Sequence, residues 1–356
     1  MKMNFTKKLK TLNKKINSEI KKFFLEKKKE HESTKKYFSI LEEFVLNGGK
    51  RLRPSALIMA YKGCGGGKNV IRESLSVEFF HNSTLIEDDV MDEDELRRKK
   101  PTVYKVFKNE HLKSNKEKKY DGSLFNKESN RLAVSKAILM GNILYSYGEK
   151  CLSSSKIDAK AIKKAINIYS EAFIKVNEGQ LLDLSFESKT NVSEKEYLEM
   201  AKKKSAWLVM ASIRIGAELA GAKQNQIKAL SKYALNTTLA FQIQDDLMDI
   251  SSEMNKGHGI GSDIKKGKKT LLVVKTLELC KSRDKKSLLK ALGSNNDRKA
   301  KKAIKLLHDY GSVDYCKTLA KKKVSAGKNW LRKAKLANEA EEFFLELADF
   351  VIERKI

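Results

Sequence analysis

Two clusters of aspartates share one spacing, a pair of carboxylates followed three residues later by a third. They are Asp88-Asp89-Val90-Met91-Asp92 and Asp245-Asp246-Leu247-Met248-Asp249. On a helix, side chains four residues apart share a face, so the first and last aspartates of each cluster would project together. Carboxylate oxygens are ligands for Mg²⁺, which in turn binds phosphate oxygens. Two such acidic faces pointing at each other would hold a diphosphate through metal ions.

A single cluster of this kind is usually a solvated helix face, but both of these lie within apolar runs. Thr84-Leu85-Ile86 precedes the first cluster and Phe241-Gln242-Ile243 precedes the second. A diphosphate also needs fixed cations, and arginine can grip phosphate oxygens through two parallel hydrogen bonds. Basic residues lie near or between the motifs: Lys50, Arg51, Arg53, Arg97, Arg98, Lys204, Lys265 and Lys268. The pattern predicts metal-assisted chemistry on a diphosphate.

The composition indicates a mostly helical chain with a sizeable core. Of its 356 residues 41% are hydrophobic, and only two are prolines. That size suits one large domain or two ordinary ones. The four cysteines show no metal-ligand spacing, and no apolar run reaches the length of a membrane span. We therefore expect a soluble cytoplasmic protein with free thiols.

The net charge of +28 raises the question of an anionic partner. Such an excess would suit nucleic acid or an anionic membrane surface. The lysines are spread along the whole chain, however, which is typical of solvated helix faces. We expect no nucleic-acid partner and at most a peripheral membrane contact.

The elements that position the clusters can be read from apolar periodicity. Residues 1–35 predict a basic amphipathic helix, because Phe5, Leu9, Leu12, Ile16, Ile20, Phe23 and Phe24 recur at helical spacing. Residues 36–356 would form the main domain, with 108–130 as a charged surface insertion. A helix over about 70–97 would carry the first cluster, and one over 226–250 the second. Pro54 suits a first helical position after the loop at 47–53.

Several further motifs lie before, between and after the two clusters. They are Gly48-Gly49-Lys50-Arg51-Leu52-Arg53-Pro54, Glu78 to Asp92, Arg97-Arg98 with Pro101-Thr102, Gly179-Gln180-Leu181-Leu182-Asp183, Lys204-Ser205, Phe241 to Asp249, Gly261-Ser262-Asp263 and Gly267-Lys268-Lys269-Thr270. With these motifs the sequence resembles the trans-isoprenyl diphosphate synthases, or polyprenyl synthetases, from about Val45 to Thr276.

The resemblance implies an all-α fold, a single-domain isoprenoid synthase helical bundle around a central cavity, usually as a homodimer. It also implies a magnesium-dependent prenyltransferase with three ions per active site. An allylic diphosphate ionises, isopentenyl diphosphate attacks the carbocation through its double bond, and a proton is lost. Each cycle lengthens the chain by five carbons.

Residue roles also follow from the resemblance. The principal magnesium ligands would be Asp88, Asp92 and Asp245, with Asp89, Asp246 and Asp249 in support and Asp183 assisting. The isopentenyl diphosphate site would contain Lys50, Arg53, His81 and Arg98. The allylic diphosphate site would contain Arg97, Lys204, Ser205, Gln242 and Lys268, and Gln180 matches an inner-cavity motif.

The sequence departs from the family pattern at four positions. Asn142 replaces a usual aspartate, Ser205 a usual threonine, and Lys99 the glycine that commonly follows the paired arginines. Gly259 lies near where many members carry a diphosphate-binding lysine, with Lys256 and His258 as nearby substitutes. None of these changes removes a predicted metal ligand.

Product length should depend on the residues just before the first cluster. Members that stop at fifteen carbons often carry aromatic rings four or five positions before the first aspartate. Here Thr84 and Ser83 are small, and Phe80 is the next candidate floor. This favours geranylgeranyl diphosphate (C20), with farnesyl or C25 and longer products as alternatives. Replacing Ser83 with Phe should shorten the product.

Two alternatives belong to other functional classes. A non-catalytic subunit of a heteromeric synthase would be marked by the loss of a cluster aspartate, and both clusters are intact. A basic RNA- or membrane-binding protein would interleave aromatic residues with its basic runs, and beyond the N-terminal helix these are sparse.

Overall fold

The computed structural model describes residues 5–30, 32–251 and 260–353. In these residues the only sheet is a two-stranded hairpin, and helices form most of the rest. Two compact units emerge: Met1–Ile58 with Gly67–Ile166, and Met59–Gly66 with Asn167–Ile356. None of the described helices combines the length and apolar character needed to cross a membrane.

The first unit contains the first aspartate cluster. Its elements are α1 (Phe5–Glu30), a 3₁₀ turn (Glu32–Thr34), α2 (Lys35–Leu46), the start of α3 (Leu52–Gly63), α4 (Ile71–Met91), β1 (Leu96–Arg97), β2 (Lys100–Pro101), α5 (Val103–Ser114), α6 (Glu128–Ser153) and the start of α7 (Ala159–Ser188).

The second unit contains the second cluster. Its elements are the end of α3, the rest of α7, α8 (Glu194–Ala201), a π-helix (Lys202–Ala206), α9 (Trp207–Leu219), α10 (Gln224–Asp249), α11 (Ser262–Lys265), α12 (Leu271–Leu279), α13 (Ser282–Leu289), α14 (Asp297–Asp309), α15 (Ser312–Ala334) and α16 (Asn338–Glu353).

Helix α4 packs along α6 in the first unit, and small residues permit this close approach. A methyl group on Gly141 of α6 would lie 3.6 Å from the carbonyl oxygen of Ser83. The buried Ser83 hydroxyl donates to the Phe80 carbonyl at 2.7 Å within its own helix. Since this hydroxyl is satisfied locally, serine can be buried at the interface at little cost.

Helix α1 buries the predicted apolar stripe, from Phe5 to Phe24. Its Phe23 ring packs against Phe79 of α4, with ring centroids 4.8 Å apart. Arg72 of α4 lies over the same ring and pairs with Glu19 and Glu26 of α1. Apolar contacts and ion pairs together attach the N-terminal helix to α4.

Helix α10 packs along α15 in the second unit. A methyl group on Gly327 of α15 would lie 2.8 Å from the Thr237 hydroxyl of α10. The Tyr233 hydroxyl donates to the Phe344 carbonyl of α16 at 2.6 Å. These contacts fix the helix that ends at the second aspartate cluster.

Three details differ from the sequence-based expectations. Helix α4 ends at Met91, so Arg97 lies on a strand and not on the helix predicted to reach it. Residues 108–114 continue α5, so the charged connection is shorter than 108–130. Helix α3 begins at Leu52, two residues before Pro54. Proline is tolerated there because the first helical N–H groups have no intrahelical acceptor.

Candidate functional site

Each aspartate cluster occupies the last turn of a long helix, α4 or α10. Neither last turn contains a basic residue. A helix carries partial negative charge at its C-terminus, so a carboxylate there is disfavoured by roughly 0.3–1 kcal/mol and a cation is favoured. Several carboxylates in such a position would be stabilised by a bound divalent cation.

The aspartates of the first cluster have different surroundings. Asp89 is 1% exposed and accepts a hydrogen bond from Arg97 Nε at 2.7 Å. Its other carboxylate oxygen has no partner among the described residues. Burial raises the pKa of Asp89 to about 6, although Arg97 opposes the shift. Asp88 and Asp92 are half-buried. Asp89 is therefore enclosed by the protein. Asp88, whose Oδ2 is 3.5 Å from Arg97 Nη2, and Asp92 retain solvent-exposed surface.

The hairpin after α4 directs the paired arginines. Arg98 and Lys99, with φ of 51° and 64°, form its two-residue turn in the left-handed region. This is the geometry of a type I′ turn, which favours glycine at its second position. Glycine would adopt this conformation without strain, whereas Lys99 adopts it at a cost of about 1–2 kcal/mol. The turn sends Arg97 towards Asp89 and Arg98 towards the Asn47 carbonyl, to which it donates at 2.6 Å.

Arginines surround His81 in the first unit. Burial, followed by the charges of Arg53 and Arg98, holds the pKa of His81 well below its ordinary value, so the imidazole is neutral at pH 7. The pKa of Arg53 is lowered by its own burial. Its buried Nε has no hydrogen-bond partner among the described residues. An anion bound here would satisfy this donor and relieve the repulsion between the arginines.

Asp246 of the second cluster is enclosed by the protein. It is 5% exposed and accepts from the Tyr197 hydroxyl at 2.6 Å and from Gln242 Nε2 at 3.1 Å. Burial raises its pKa to about 7. The Ser205 hydroxyl donates to Gln242 Oε1 at 2.8 Å. This chain of hydrogen bonds fixes the Gln242 amide and links the predicted Ser205 and Gln242 positions.

Asp249 holds the start of the following loop. Its two carboxylate oxygens accept from the Ser262 hydroxyl at 2.6 Å and from the Asp263 amide at 3.1 Å. The Asp263 carbonyl accepts from the amide of Lys268 at 2.9 Å. The cluster therefore anchors the loop that carries Lys268. The departure at Gly259, with Lys256 and His258, lies outside the described residues.

Lys204 lies on the π-helix between α8 and α9. Its ammonium group is 2.5 Å from a carboxylate oxygen of Asp183 on α7. The π-helix backbone passes directly over Gly179, where a methyl group would lie 2.2 Å from the backbone nitrogen of Lys204. The glycine of the Gly179-to-Asp183 motif thus permits the contact that brings Lys204, Asp183 and the half-buried Gln180 into one region.

The carboxylates suit Mg²⁺ as an ion shared with substrate. No group of three or more acidic, histidine or cysteine side chains in the described part of the chain is arranged as a ready-made metal site. Mg²⁺ commonly binds through one or two carboxylates together with substrate phosphates and water. Asp88, Asp92 and the half-buried Asp245 fit this use. Asp183 and Asp249 accept protein hydrogen bonds, and Asp88 Oδ2 is 3.5 Å from Arg97 Nη2, so metal binding would rearrange these contacts.

The predicted chain-length residues differ in accessibility. Phe80 and Ser83 have no exposed surface, and the Phe80 ring packs against Tyr145 of α6 with centroids 5.7 Å apart. Thr84 is half-buried, and its hydroxyl donates to the His81 carbonyl at 2.9 Å. Of the three side chains, Thr84 alone presents surface to solvent.

Sequence patterns did not identify several residues that support these groups. Tyr197 lies outside the motifs, seven residues before Lys204, and shows no local signal. Glu78 lies inside a motif, and its position in an apolar run marked it as a buried acid in need of a partner. That partner is Arg51, whose guanidinium is buried 2.5 Å from Glu78, so Arg51 is used in an ion pair and is not available as a phosphate-binding cation.

Comparison with known proteins identifies the family. The polyprenyl synthetase family model matches residues 34–308. The chain belongs to the polyprenyl synthetase family. A short chain isoprenyl diphosphate synthase from Methanothermobacter thermautotrophicus is 33% identical, over 88% of this chain and 89% of its own. A geranylgeranyl diphosphate synthase from Sulfolobus acidocaldarius is 35% identical, over 78% of each chain. A geranylfarnesyl diphosphate synthase from Natronomonas pharaonis is 31% identical, over 86% of each chain.

Solved structures confirm the predicted all-α isoprenoid synthase fold for this polyprenyl synthetase. Geranylgeranyl pyrophosphate synthetase from Pyrococcus horikoshii superposes with a TM-score of 0.84 at 30% identity, covering 99% of this chain and 98% of that one. A polyprenyl synthase from Caulobacter crescentus, complexed with calcium and isoprenyl diphosphate, gives 0.79 at 26% identity, covering 99% and 98%.

Proposed function

We propose that this polyprenyl synthetase is a short-chain trans-prenyltransferase that condenses isopentenyl diphosphate with an allylic diphosphate. The arrangement along α4 carries the proposal. His81 lies two turns before Asp88 and close to Arg53, whose Nε has no hydrogen-bond partner in the part of the chain that the structure describes. One helix thus bears an anion-binding group and a metal-binding group at successive levels, as a reaction of two diphosphates requires.

The residues of the chain would bind and orient the two substrates. Arg53, Arg98 and Lys50 hold the isopentenyl diphosphate, and the neutral His81 donates a hydrogen bond to it. Arg97, Lys204, Ser205, Gln242 and Lys268 bind the allylic diphosphate. As the allylic C–O bond breaks, its electron pair leaves with the diphosphate. The double bond of isopentenyl diphosphate then forms the new C–C bond, and a proton is lost.

Metal ions would enter this reaction through the two aspartate clusters. Asp88, Asp92 and Asp245 are the principal proposed Mg²⁺ ligands, with Asp183 and Asp249 assisting. When bound, Mg²⁺ supplies positive charge that stabilises the departing diphosphate. The calcium and isoprenyl diphosphate complex of the Caulobacter relative supports a divalent ion. The count of three ions rests on the family resemblance.

The proposed product is geranylgeranyl diphosphate, with farnesyl or C25 and longer products as alternatives. The small side chains of Ser83 and Thr84 support a product longer than C15. The relatives named as geranylgeranyl and geranylfarnesyl synthases support the C20–C25 range.

A homodimer in the cytoplasm is the proposed working form. Helix α6 exposes Leu139 and Ile143, which lie on one face, as well as Ile138. Apolar surface of this kind suits contact with a second copy. The cysteines are free thiols, which a reducing compartment maintains. Light scattering of the purified chain should give twice the monomer mass; a monomer would contradict this assembly.

Elongation of labelled isopentenyl diphosphate tests the enzymatic proposal. Dimethylallyl, geranyl and farnesyl diphosphates are supplied in turn as primers, and the dephosphorylated products are separated by chain length. We expect extension to C20 as the main product. No extension of any primer would refute the proposed activity, and a C15 or C25 limit would correct the product alone.

A further inference from the structure

Helix α1 carries two asparagines, one turn apart, that contact the loop before α3. The Asn13 side-chain amide donates to the Gly49 carbonyl at 3.1 Å. The Asn17 amide donates to Asn13 Oδ1 at 2.6 Å. Arg51 Nε donates to Asn17 Oδ1 at 2.8 Å. A continuous hydrogen-bonded chain thus joins the N-terminal helix to the loop at Gly49 and Arg51.

We propose that Asn13 and Asn17 are positioning residues for the isopentenyl diphosphate site. They act through the backbone at Gly49–Arg51, which includes the proposed ligand-binding Lys50 and comes two residues before Arg53. This assigns α1 a specific part in substrate binding, and it rests on the function proposed above.

Arg51 connects Asn17 to the backbone of the loop before α3. It is 3% exposed and adopts a φ of 51°, in the left-handed region that non-glycine residues rarely occupy. Its Nη1 is 2.5 Å from Glu78, and its Nη2 donates to the Val45 carbonyl at 2.7 Å. With Asn17, all three guanidinium nitrogens have acceptors. Together these contacts hold a backbone conformation that the residue itself disfavours.

The backbone of Arg51 determines where Lys50 and Arg53 lie. Its carbonyl accepts from the Ser55 amide at 3.1 Å and so begins helix α3. Lys50 precedes this point by one residue, and Arg53 follows it by two. The partner Glu78 lies one turn before His81 on α4. The buried ion pair therefore sets Lys50 and Arg53 relative to His81.

Gly49 links the same chain to Arg98. A methyl group on Gly49 would lie 3.4 Å from Arg98 Nη1, and one on Gly48 would lie 3.1 Å from Arg98 Cδ. The Arg98 side chain thus lies across the two glycines. Because Asn13 holds the Gly49 carbonyl, it also fixes the surface beneath this arginine.

Substitution of Asn17 tests the proposal. Asn17→Leu keeps similar volume but leaves Arg51 Nε buried without an acceptor. We expect the dissociation constant and the KM for isopentenyl diphosphate to rise about tenfold, as for loss of one hydrogen bond to a charged group. The kcat and the KM for farnesyl diphosphate should stay within about twofold, because the backbone that Arg51 holds carries Lys50 and Arg53, which belong to the proposed isopentenyl diphosphate site.

Two further variants separate positioning from simple destabilisation. Asn17→Asp retains an acceptor for Arg51 but loses the amide donor to Asn13 Oδ1, so its dissociation constant for isopentenyl diphosphate should lie between those of the parent and Asn17→Leu. Thr11→Ala is the matched control on the same helix, because the Thr11 hydroxyl bonds only to the Lys7 carbonyl within α1. It should match the parent in every constant. Circular dichroism and melting temperature establish that each variant is folded.

The outcomes distinguish the two proposals. A parental dissociation constant in Asn17→Leu would overturn the inference, as would an equal loss of affinity for both substrates. An Asn17→Asp dissociation constant no lower than that of Asn17→Leu would also contradict it. If the parent binds isopentenyl diphosphate but does not elongate a primer, the proposed function fails, and the dissociation constants still decide the positioning role. A parent that binds none would refute both.

Discussion

A methyl group at Gly179 is expected to displace the residues proposed to bind the allylic diphosphate. In Gly179→Ala the added methyl group would lie 2.2 Å from the backbone nitrogen of Lys204 and 2.7 Å from its Cα. Both are backbone atoms of the π-helix, so no side-chain rotation relieves the overlap. Relaxing to ordinary van der Waals contact requires α7 and the π-helix to separate by about 1 Å.

The size of the effect follows from this displacement. Overpacking of this kind typically costs about 1–3 kcal/mol, and alanine recovers roughly 0.5–1 kcal/mol through its better helix propensity. A net loss of about 1 kcal/mol should lower the melting temperature of a chain of 356 residues by about 1–2 °C. Movement of Lys204 and Ser205 by about 1 Å can reduce the rate by up to about 100-fold. We expect kcat/KM for farnesyl diphosphate to fall by about 10- to 100-fold.

Steady-state rates with farnesyl diphosphate varied at saturating isopentenyl diphosphate measure this effect. Gly67→Ala is one control, because its methyl group meets no atom within 4 Å. Gly327→Ala is the second, since its methyl group would lie 2.8 Å from the Thr237 hydroxyl, away from the proposed site residues. It should lower the melting temperature without changing KM. A Gly179→Ala enzyme with parental kcat/KM would refute the reasoning.

Three other predictions follow from the first unit. Arg98→Ala should raise the KM for isopentenyl diphosphate at least about tenfold, since charge-assisted contacts to a diphosphate are strong, and should leave the KM for farnesyl diphosphate unchanged. Thr84→Phe should shorten the longest product, whereas Ser83→Phe should also lower the melting temperature because Ser83 is fully buried; chromatography and thermal denaturation distinguish them. His81 has a lowered pKa when folded, so below pH 6.5 the unfolded chain takes up a proton that the folded chain refuses. The parent should therefore lose up to about 1.4 kcal/mol more than His81→Gln for each pH unit below 6.5, measured by urea denaturation.

The sequence alone predicted the helices that carry both clusters, although α4 ends at Met91 and not near residue 97 as predicted. Long amphipathic segments have a strong period, and α10 ends at Asp249, within one residue of its predicted end. The motif order also identified the family, since many spaced residues had to agree at once.

The hairpin at 96–101 was not predicted because its turn uses Arg98 and Lys99 in left-handed conformations. Turn signals in a sequence rely on glycine and asparagine at such positions. The contacts of Tyr197 with Asp246 and of Asn17 with Arg51 join residues 49 and 34 positions apart. Such pairings depend on how helices pack, and no local pattern encodes them.

The central claim is that the two aspartate clusters bind the metal ions that help diphosphate to leave. The most direct test is to measure the rate of farnesyl diphosphate elongation as a function of the free Mg²⁺ concentration. The parent should be inactive after treatment with a chelator and regain its full rate with added Mg²⁺. Asp88→Asn and Asp245→Asn should each need more Mg²⁺ and reach a lower maximum. An unchanged rate in the chelated enzyme would contradict the account.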